Sequence, residues 1–297
     1  MSLKDWLAAL TVITVWGVNF VAIKLGLVEI PPLLLGALRF TLVAFPAVLF
    51  VPRPKLPWRI LLNYGVTICL AQFIFLFWAI NIGMPAGLAS LVLQSQAFFT
   101  VLIAALVLRE GIQRHHVLGM IIAVLGLVLI HQGAQSGSVP VLGFMLTLLS
   151  AVAWAVGNIV LKGAGKVDMI GLVVWGALIP PIPFMILSLT FEGPALIVHS
   201  LTNVSWVGVL AVAYLAFVAT FVGYVLWGKL LARHPVSRIA PLSLLIPVIG
   251  MVCAAWLLDE SMRPAQWLGG VVVLAGLGVN TFGARMLQRG TDMGSNS

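Results

Sequence analysis

Charged residues are scarce in this sequence. Of its 297 residues only 8% are Asp, Glu, Lys or Arg, whereas 62% are hydrophobic. A soluble domain carries about 25% charged residues to cover its surface, so the composition excludes a water-soluble globular fold. Long apolar runs take the place of the missing charge, and a run of about 20 residues can cross a bilayer as a helix. The composition therefore predicts a polytopic membrane protein.

Cysteine and alternating sequence patterns are also nearly absent. The only two cysteines, Cys69 and Cys253, lie inside apolar segments, so no disulfide framework is predicted. Runs such as MIIAVLGLVLI lack the alternation of apolar and polar residues that marks the strands of a membrane β-barrel. We therefore predict an all-α protein.

Motifs of enzymes and of cofactor sites are missing. We find no nucleotide-binding loop, no cluster of metal ligands and no Ser/His/Asp arrangement. A membrane-embedded enzyme would need converging acid–base groups or a metal inside the spans. The eight acids instead fall at termini, loops or helix ends: Asp5, Glu29, Glu110, Asp168, Glu192, Asp259, Glu260 and Asp292. We predict no enzymatic activity, no catalytic residue, no metal and no cofactor.

Ten apolar segments are candidates for transmembrane helices. They are Trp6–Leu25, Pro32–Phe50, Ile60–Ile80, Gly87–Leu108, Val117–His131, Val141–Leu161, Ile170–Thr190, Trp206–Leu230, Val236–Leu258 and Trp267–Met286. The fifth is short for a span. The connections between segments are short, which leaves no room for a soluble domain.

Lys and Arg gather in alternate loops, which predicts an orientation. Cytoplasmic loops of membrane proteins carry an excess of basic residues. With the amino terminus inside, most of the 16 Lys and Arg are cytoplasmic, whereas Lys24 and Arg263 fall outside and Arg39 lies within a span. Both termini are therefore predicted to be cytoplasmic. This bias accounts for the net charge of +8, and no nucleic-acid partner is predicted.

The two halves of the chain repeat each other. WGVNFVAIK (16–24) returns as WAVGNIVLK (154–162), and AALVLRE (104–110) returns as AAWLLDE (254–260). Such self-similarity indicates an internal duplication, here of five helices. Because five is odd, the second half enters the membrane from the opposite side. Inverted repeats are an architecture of secondary transporters, whose binding site lies near the membrane midplane between the halves.

The duplication predicts the organisation of the chain. Residues 1–135 would form the first five-helix repeat and residues 136–286 the second, inverted one. A longer connection around 192–205 holds the extra residues of the second half. The polar segment 287–297 is expected to be a disordered cytoplasmic tail.

Several segments resemble the drug/metabolite transporter superfamily, specifically its ten-helix EamA-type exporters. The resemblance covers residues 1 to about 286 and is carried by WGVNFVAIK, PPLLLGALRF, GMPAGLASLVLQSQAFF, YLAFVATFVGY and RIAPLSLLIPVIG. The longer segments are similar to bacterial exporters of O-acetylserine and cysteine. The resemblance implies export of such small neutral amino-acid metabolites across the bacterial inner membrane, and the inverted repeat predicts alternating access. Substrates vary within one fold, so a multidrug exporter, an exporter of other metabolites or a lipid flippase is the alternative.

The expected partners follow from this function. They are a small-molecule substrate and the lipid bilayer, and the protein would act as a monomer or a homodimer. Proton-coupled pumps commonly use a buried Asp or Glu as the proton carrier. None of the acids falls in the middle of a span, which favours facilitated export down a gradient or coupling through backbone and hydroxyl groups.

Polar and aromatic side chains inside the spans are the candidates for substrate binding. Polar groups are costly in lipid and usually face a bundle interior or a watery cavity, although Asn and Gln also hydrogen-bond between helices. The candidates are Trp16, Asn19, Arg39, Tyr64, Gln72, Gln94, Trp154, Asn158, Tyr224 and Ser243. Gln96 is two residues from Gln94, so we expect it on another helix face.

The charged residues within the spans and at their ends have structural interpretations as well as functional ones. Arg39 either bonds helix-end carbonyls or an amide in a structural role, or binds a substrate carboxylate. Lys24 and Lys162 either extend to the lipid headgroups or act in gating at the two mouths. Glu110 and Glu260 can simply end helices, where pairing with a nearby Arg would be weak if exposed.

Overall fold

The chain folds into a bundle of long helices. The structure, a computed structural model, describes residues 1–132, 139–162, 164 and 167–294, and these contain helices and turns but no strand. The spans are α1 (Leu3–Glu29), α2 (Pro32–Leu49), α3 (Trp58–Asn81), α4 (Ala86–Leu108), α5 (Arg114–Gln132), α6 (Val141–Lys162), α7 (Met169–Glu192), α8 (Trp206–Arg233), α9 (236–257) and α10 (Pro264–Gly294). Within the described ranges nine helices are long and apolar enough to cross a membrane, and a tenth apolar helix, Leu242–Leu257, is shorter.

The ten predicted spans are confirmed as helices. The short fifth segment extends at both ends to Arg114–Gln132. The longer connection in the second half is a helix of its own, Pro194–Asn203, which begins at a proline because the fixed φ and missing N–H of proline suit the first helical position. The predicted all-α membrane fold therefore holds.

Two sequence expectations concern the edges of the repeats. The tail at 287–297 was expected to be disordered, but residues 287–294 continue α10, where no proline interrupts the helical hydrogen bonds. Residues 295–297 and the expected boundary at 135/136 lie outside the described residues, as does part of the cytoplasmic loop after Lys162.

The helices pack with the two-fold pattern of an inverted repeat. In the first half α1 packs on α8 and α9 of the second half, and α6 correspondingly packs on α3 and α4. The equivalent pairs α2 with α7, α4 with α9 and α5 with α10 also contact each other. We call the end of the bundle that holds Leu3 and Arg233 the near face, and the end that holds Glu29 and Trp206 the far face. The two halves therefore contact each other through several equivalent pairs of helices.

Small residues bring α5 and α10 together at the side of the bundle. A Cβ atom added to Gly276 would lie 2.6 Å from the carbonyl oxygen of Gly119, and one added to Gly119 would lie 2.7 Å from the carbonyl oxygen of Gly276. The two backbones therefore touch at this crossing. Small residues allow such close approach of helices in membranes.

Irregular helical turns occur at matching places in the two halves. The central turns of α3 and α8 are π-helical, at Gly65–Ala71 and Tyr214–Val222. Those of α4 and α9 are 3₁₀-helical, at Leu93–Ser95 and Ala240–Leu245. Such turns redirect side chains and free backbone carbonyls, and π-bulges occur frequently at functional sites. They place the irregular backbone in the middle of the bundle.

Helix α1 is tied to α8 along its whole length. At the near face Asp5 pairs with Arg233 at 3.4 Å, and at the far face Glu29 accepts from the backbone N–H of Ser205 at 2.7 Å and from its hydroxyl at 2.6 Å. Between these ends, Trp16 donates to the carbonyl of Ala219 at 2.9 Å. Contacts at both ends and in the middle indicate that α1 and α8 form one rigid unit.

The tightest packing lies toward the far face. Ile80, Met84, Leu88 and Leu91, at the end of α3 and the start of α4, are fully buried and belong to the largest core cluster. Toward the near face the helices separate, and a cavity opens between them.

Candidate functional site

A large cavity lies between the two halves of the bundle. Its volume is about 540 Å³, which falls within the range of about 300–1,000 Å³ of small-molecule sites. Residues of α1, α2, α3 and α4 line it from the first half, and residues of α6, α7, α8 and α9 from the second. This is the location that the inverted repeat predicts for a transported substrate.

All ten residues that the sequence predicted as substrate-binding line this cavity. They are Trp16, Asn19, Arg39, Tyr64, Gln72, Gln94, Trp154, Asn158, Tyr224 and Ser243. The irregular turns help to bring them together, because Tyr64 and Gln72 flank the π-helical turn of α3, and Gln94 lies in the 3₁₀ turn of α4. Their role in binding remains a prediction.

Gln96 also lines the cavity, although the sequence pattern placed it on another face. In an α-helix a spacing of two residues corresponds to a rotation of about 200°, so the two side chains point about 160° apart. In a 3₁₀ helix of three residues per turn the rotation is about 240°, so the directions are only about 120° apart. The 3₁₀ turn Leu93–Ser95 thus turns Gln96 toward the side of Gln94.

The cavity reaches the near face and is closed toward the far face. Leu161, Met169 and Leu231 line it, and each lies within about one turn of a helix end at the near face. Toward the far face the packed core of Ile80 and Leu88 closes the space. The structure therefore represents a conformation with access from the near face.

Polar side chains in the cavity fall into a bonded set and an unpaired set. The side-chain amide of Asn158 donates to Gln96 Oε1 at 2.8 Å and to Thr100 Oγ1 at 3.3 Å, which joins α6 to α4. By contrast, Asn19 Oδ1 and Gln72 Oε1 are buried without a hydrogen-bond partner in the described part of the chain. A buried acceptor without a partner is costly, and a bound ligand can satisfy it.

Aromatic rings form one wall of the cavity. The ring of Trp16 lies 5.3 Å from that of Tyr224 and 5.4 Å from that of Trp227, measured between centroids. Trp227 also lines the cavity, although it is not among the residues predicted from the sequence. Its spacing of three residues from Tyr224 places both on one helix face, and that signal could have identified it.

Arg39 is the one charged side chain that lines the cavity within the described ranges. Only 5% of its surface is exposed. Its guanidinium carbon lies 4.2 Å from the ring centre of Phe73 and 5.5 Å from that of Phe40. Nε and Nη1 have no hydrogen-bond partner among the described residues. The helix-end carbonyls that a structural role would use are therefore not bonded to these two nitrogens.

Two carboxylates close the far face by binding helix starts. Glu260, after α9, accepts from the backbone N–H groups of Ala86 and Gly87 at 2.7 and 3.0 Å. Glu192, at the end of α7, accepts from those of Leu33 and Leu34 at 2.7 and 3.1 Å. Negative charge is favourable at a helix N-terminus, where N–H groups lack partners. Each carboxylate thus joins two different spans.

At the near face the counterpart of Glu260 has a different partner. Arg109 and Asp259 both adopt left-handed backbone conformations, with φ of 56° and 50°, so the following Glu110 and Glu260 leave their helices in the same way. Glu110 nevertheless pairs with Lys162, its two oxygens each 2.6 Å from Nζ. Both glutamates thus contact other helices, whereas the sequence suggested only that they end their own.

The two predicted gating lysines lie outside the cavity lining. Lys162 forms the ion pair with Glu110, with about half of each side chain exposed, so the pair is expected to contribute little to stability. Lys24 is half-buried near the far end of α1 and has no ion pair among the described residues. Gating by either lysine remains a prediction.

Comparison with known proteins identifies the family. The sequence model of the EamA-like transporter family matches residues 4–132 and again residues 141–282. A "probable amino-acid metabolite efflux pump" of Escherichia coli (strain K12) is 52% identical over 290 residues, covering 96% of this chain and 97% of that protein. A protein of the same name from Salmonella typhimurium is 51% identical over 291 residues, again covering 96% and 97%.

More distant matches also cover nearly the whole chain. A "probable terminal-alkyne amino-acid exporter" of Streptantibioticus cattleyicolor is 25% identical over 289 residues, 93% of each chain. A solved crystal structure aligns with a TM-score of 0.64 over 95% of this chain and 99% of that chain. At 21% identity that likeness shows the fold alone. The two matches of the family model, one to each half, cover nearly the whole sequence, and the chain belongs to the EamA-like transporter family.

Proposed function

We propose that this protein exports small neutral amino-acid metabolites, such as O-acetylserine or cysteine, across the bacterial inner membrane. The names of the two most similar relatives described above support export of amino-acid metabolites. The observation that carries the proposal is the cavity, which is lined by neutral amides, aromatic rings and one guanidinium. Such groups can bind the charged ends of an amino acid without trapping it.

The conformation fits the loading step of an exporter. The near face holds most of the basic loops, so we assign it to the cytoplasm by the bias of Lys and Arg. The cavity then opens to the cytoplasm, where the substrate is made. The packed core and the carboxylates Glu192 and Glu260 separate it from the outside.

Release requires that the far-face contacts break. Because α1 and α8 are tied at both ends and in the middle, we expect them to move together. The contact of Glu260 with α4 joins the second half to the first, and so does the contact of Glu192 with α2. Both contacts would have to break for the far face to open. The inverted repeat then suggests a reciprocal step, in which Glu110 leaves Lys162 and binds the start of α9, as Glu260 now binds the start of α4.

The proposed energy source is the substrate gradient. No carboxylate lines the cavity in the described part of the chain, so the residue that proton-coupled carriers commonly use is not found at the site. Facilitated export down a concentration gradient fits this arrangement.

Counterflow in proteoliposomes tests the proposed function. Purified protein in vesicles loaded with unlabelled cysteine or O-acetylserine should accumulate the labelled compound transiently, because a carrier exchanges its own substrate. Vesicles without protein are the control. Drugs and a fluorescent lipid are tested in parallel: counterflow of drugs, or lipid scrambling, without counterflow of any amino acid would reject the proposal in favour of the rival activities.

A further inference from the structure

We propose that the cavity is built for an α-amino acid zwitterion, with Arg39 as the anchor of the carboxylate and with Asn19 and Gln72 as acceptors for the ammonium group. This inference rests on the proposed export of amino-acid metabolites and names the chemistry by which the same site selects them. It predicts selection by the two charged ends of the substrate, with the side chain left largely free.

Arg39 has no counter-ion among the described residues. A guanidinium inside a membrane protein is costly unless it is paired, yet Nε and Nη1 of Arg39 are buried without a partner among the described residues. The acids of the chain lie at termini, loops and helix ends. The rings of Phe73 and Phe40 stabilise the cation from its faces but accept no N–H···O bond. A ligand with a carboxylate supplies both the missing charge and the missing acceptors.

Arg39 also borders a recess of about 20 Å³ that Tyr64, Thr220 and Tyr224 line. That volume can hold about one water-sized group, so a larger side chain of the substrate cannot enter it. The recess is too small for the three heavy atoms of a carboxylate, so a carboxylate that binds Arg39 would approach it from the large cavity.

The unpaired acceptors complement the unpaired donors. Asn19 Oδ1 and Gln72 Oε1 are buried carbonyl oxygens without a donor in the described structure, and they line the same cavity as Arg39. An ammonium group brings three N–H donors and can also lie against the rings of Trp16 and Tyr224. The unpaired donors of Arg39 thus match the carboxylate of a zwitterion, and the unpaired acceptors of Asn19 and Gln72 match its ammonium group.

This match separates amino acids from the substrates of the rival functions. A cationic drug lacks the carboxylate and would bring a second positive charge next to Arg39. An amino-acid ester retains the ammonium but loses the anionic carboxylate, so it is likewise a cation. The inference therefore predicts that removing the carboxylate weakens binding more than changing the side chain does.

The test measures binding of four related probes to the purified full-length protein in nanodiscs by titration calorimetry. The probes are L-cysteine, its methyl ester, cysteamine, which lacks the carboxylate, and 3-mercaptopropionate, which lacks the ammonium. Wild-type protein should bind L-cysteine at least about tenfold more tightly than cysteamine or the ester, which corresponds to about 1.4 kcal/mol, because hydrogen bonds to charged groups are stronger than those between neutral groups.

Substitutions then assign the preference to residues. Arg39→Gln should bring the ratio between L-cysteine and cysteamine close to one without weakening the binding of cysteamine, and Arg39→Lys should restore part of the ratio. Arg53→Gln is the matched control, since Arg53 also stacks on an aromatic ring, Trp58, at 3.9 Å, but at the surface. Asn19→Ala with Gln72→Ala should reduce the preference for L-cysteine over 3-mercaptopropionate. Size-exclusion profiles identify any variant that fails to fold.

Each outcome decides between the inference and the proposed function. If Arg39→Gln or Arg39→Lys folds and keeps the wild-type ratio, the anchor is rejected while amino-acid export stands. If wild type binds 3-mercaptopropionate through Arg39 but no amino acid, the anchor stands and export of amino acids is rejected. If wild type binds none of the carboxylates, both are rejected.

Discussion

Replacing Glu260 with glutamine should open the far face and lower export of cysteine by about tenfold or more. The carboxylate binds two backbone N–H groups at the start of α4, and hydrogen bonds to charged groups contribute about 1.5–3 kcal/mol each. An amide retains one acceptor and presents an N–H₂ group that cannot replace the other bond. The conformation with access from the near face should therefore lose most of its advantage.

Spin labels at the two sides of this contact measure the opening. Cysteines in place of the exposed residues Asn81 and Ser261 report the separation of α3–α4 from α9–α10 at the far face, in a background in which Cys69 and Cys253 are replaced. Glu260→Gln should shift the distance distribution to longer values. Asp259→Asn is the matched control, because Asp259 is exposed and adjacent but makes no such contact in the described structure. An unchanged distribution in Glu260→Gln would show that this carboxylate does not hold the far face closed.

The two asparagines of the repeated motif should respond to substitution in different ways. Asn158 bridges α6 to α4 through Gln96 and Thr100, so Asn158→Ala leaves Gln96 without this partner and should lower the thermal unfolding midpoint. Asn19 Oδ1 has no partner in the described part of the chain, so Asn19→Ala should leave the midpoint nearly unchanged. It should instead raise the KM for export by about tenfold, the size expected for one hydrogen bond to a charged group.

Fluorescence-detected unfolding and export kinetics separate these two effects. Asn203→Ala controls for the loss of an amide, since Asn203 lies exposed on the helix Pro194–Asn203 away from the cavity. A lower midpoint in Asn19→Ala with unchanged KM would mean that Asn19 is structural. That result would also remove one of the two proposed ammonium acceptors.

Much of the fold could be predicted from the sequence because the bilayer limits the possibilities. A span in lipid must satisfy its backbone internally, so an apolar run of sufficient length is a helix almost regardless of its side chains. The repeat of Trp16–Lys24 at Trp154–Lys162 then gave the inverted two-half arrangement. The cost of exposing polar groups to lipid also explains why the predicted polar residues line the cavity. A polar residue such as Gln72 or Gln94, inside an apolar span, has few other places to face.

The features that could not be predicted depend on partners distant in the chain. The π-helical turn of α8 is supported by the bond from Trp16 to the carbonyl of Ala219, which no local pattern reveals. The 3₁₀ turn that redirects Gln96 is likewise not revealed by any local sequence pattern. Glu260 looked like an ordinary helix end because its partners, Ala86 and Gly87, are backbone groups of another span. Backbone N–H groups carry no sequence signal, so only the folded structure shows such a contact.

Labelling of one cavity residue from each side of the membrane tests the central claim of alternating access. In the same cysteine-replaced background, Gln94→Cys should react with an impermeant thiol reagent from the cytoplasmic side at rest, and from the outside only while substrate is being exported. A bifunctional cross-link between cysteines at positions 81 and 261, formed before labelling, should abolish outside labelling and export but leave cytoplasmic labelling intact. Outside labelling or export that persists with the far face cross-linked would contradict the account.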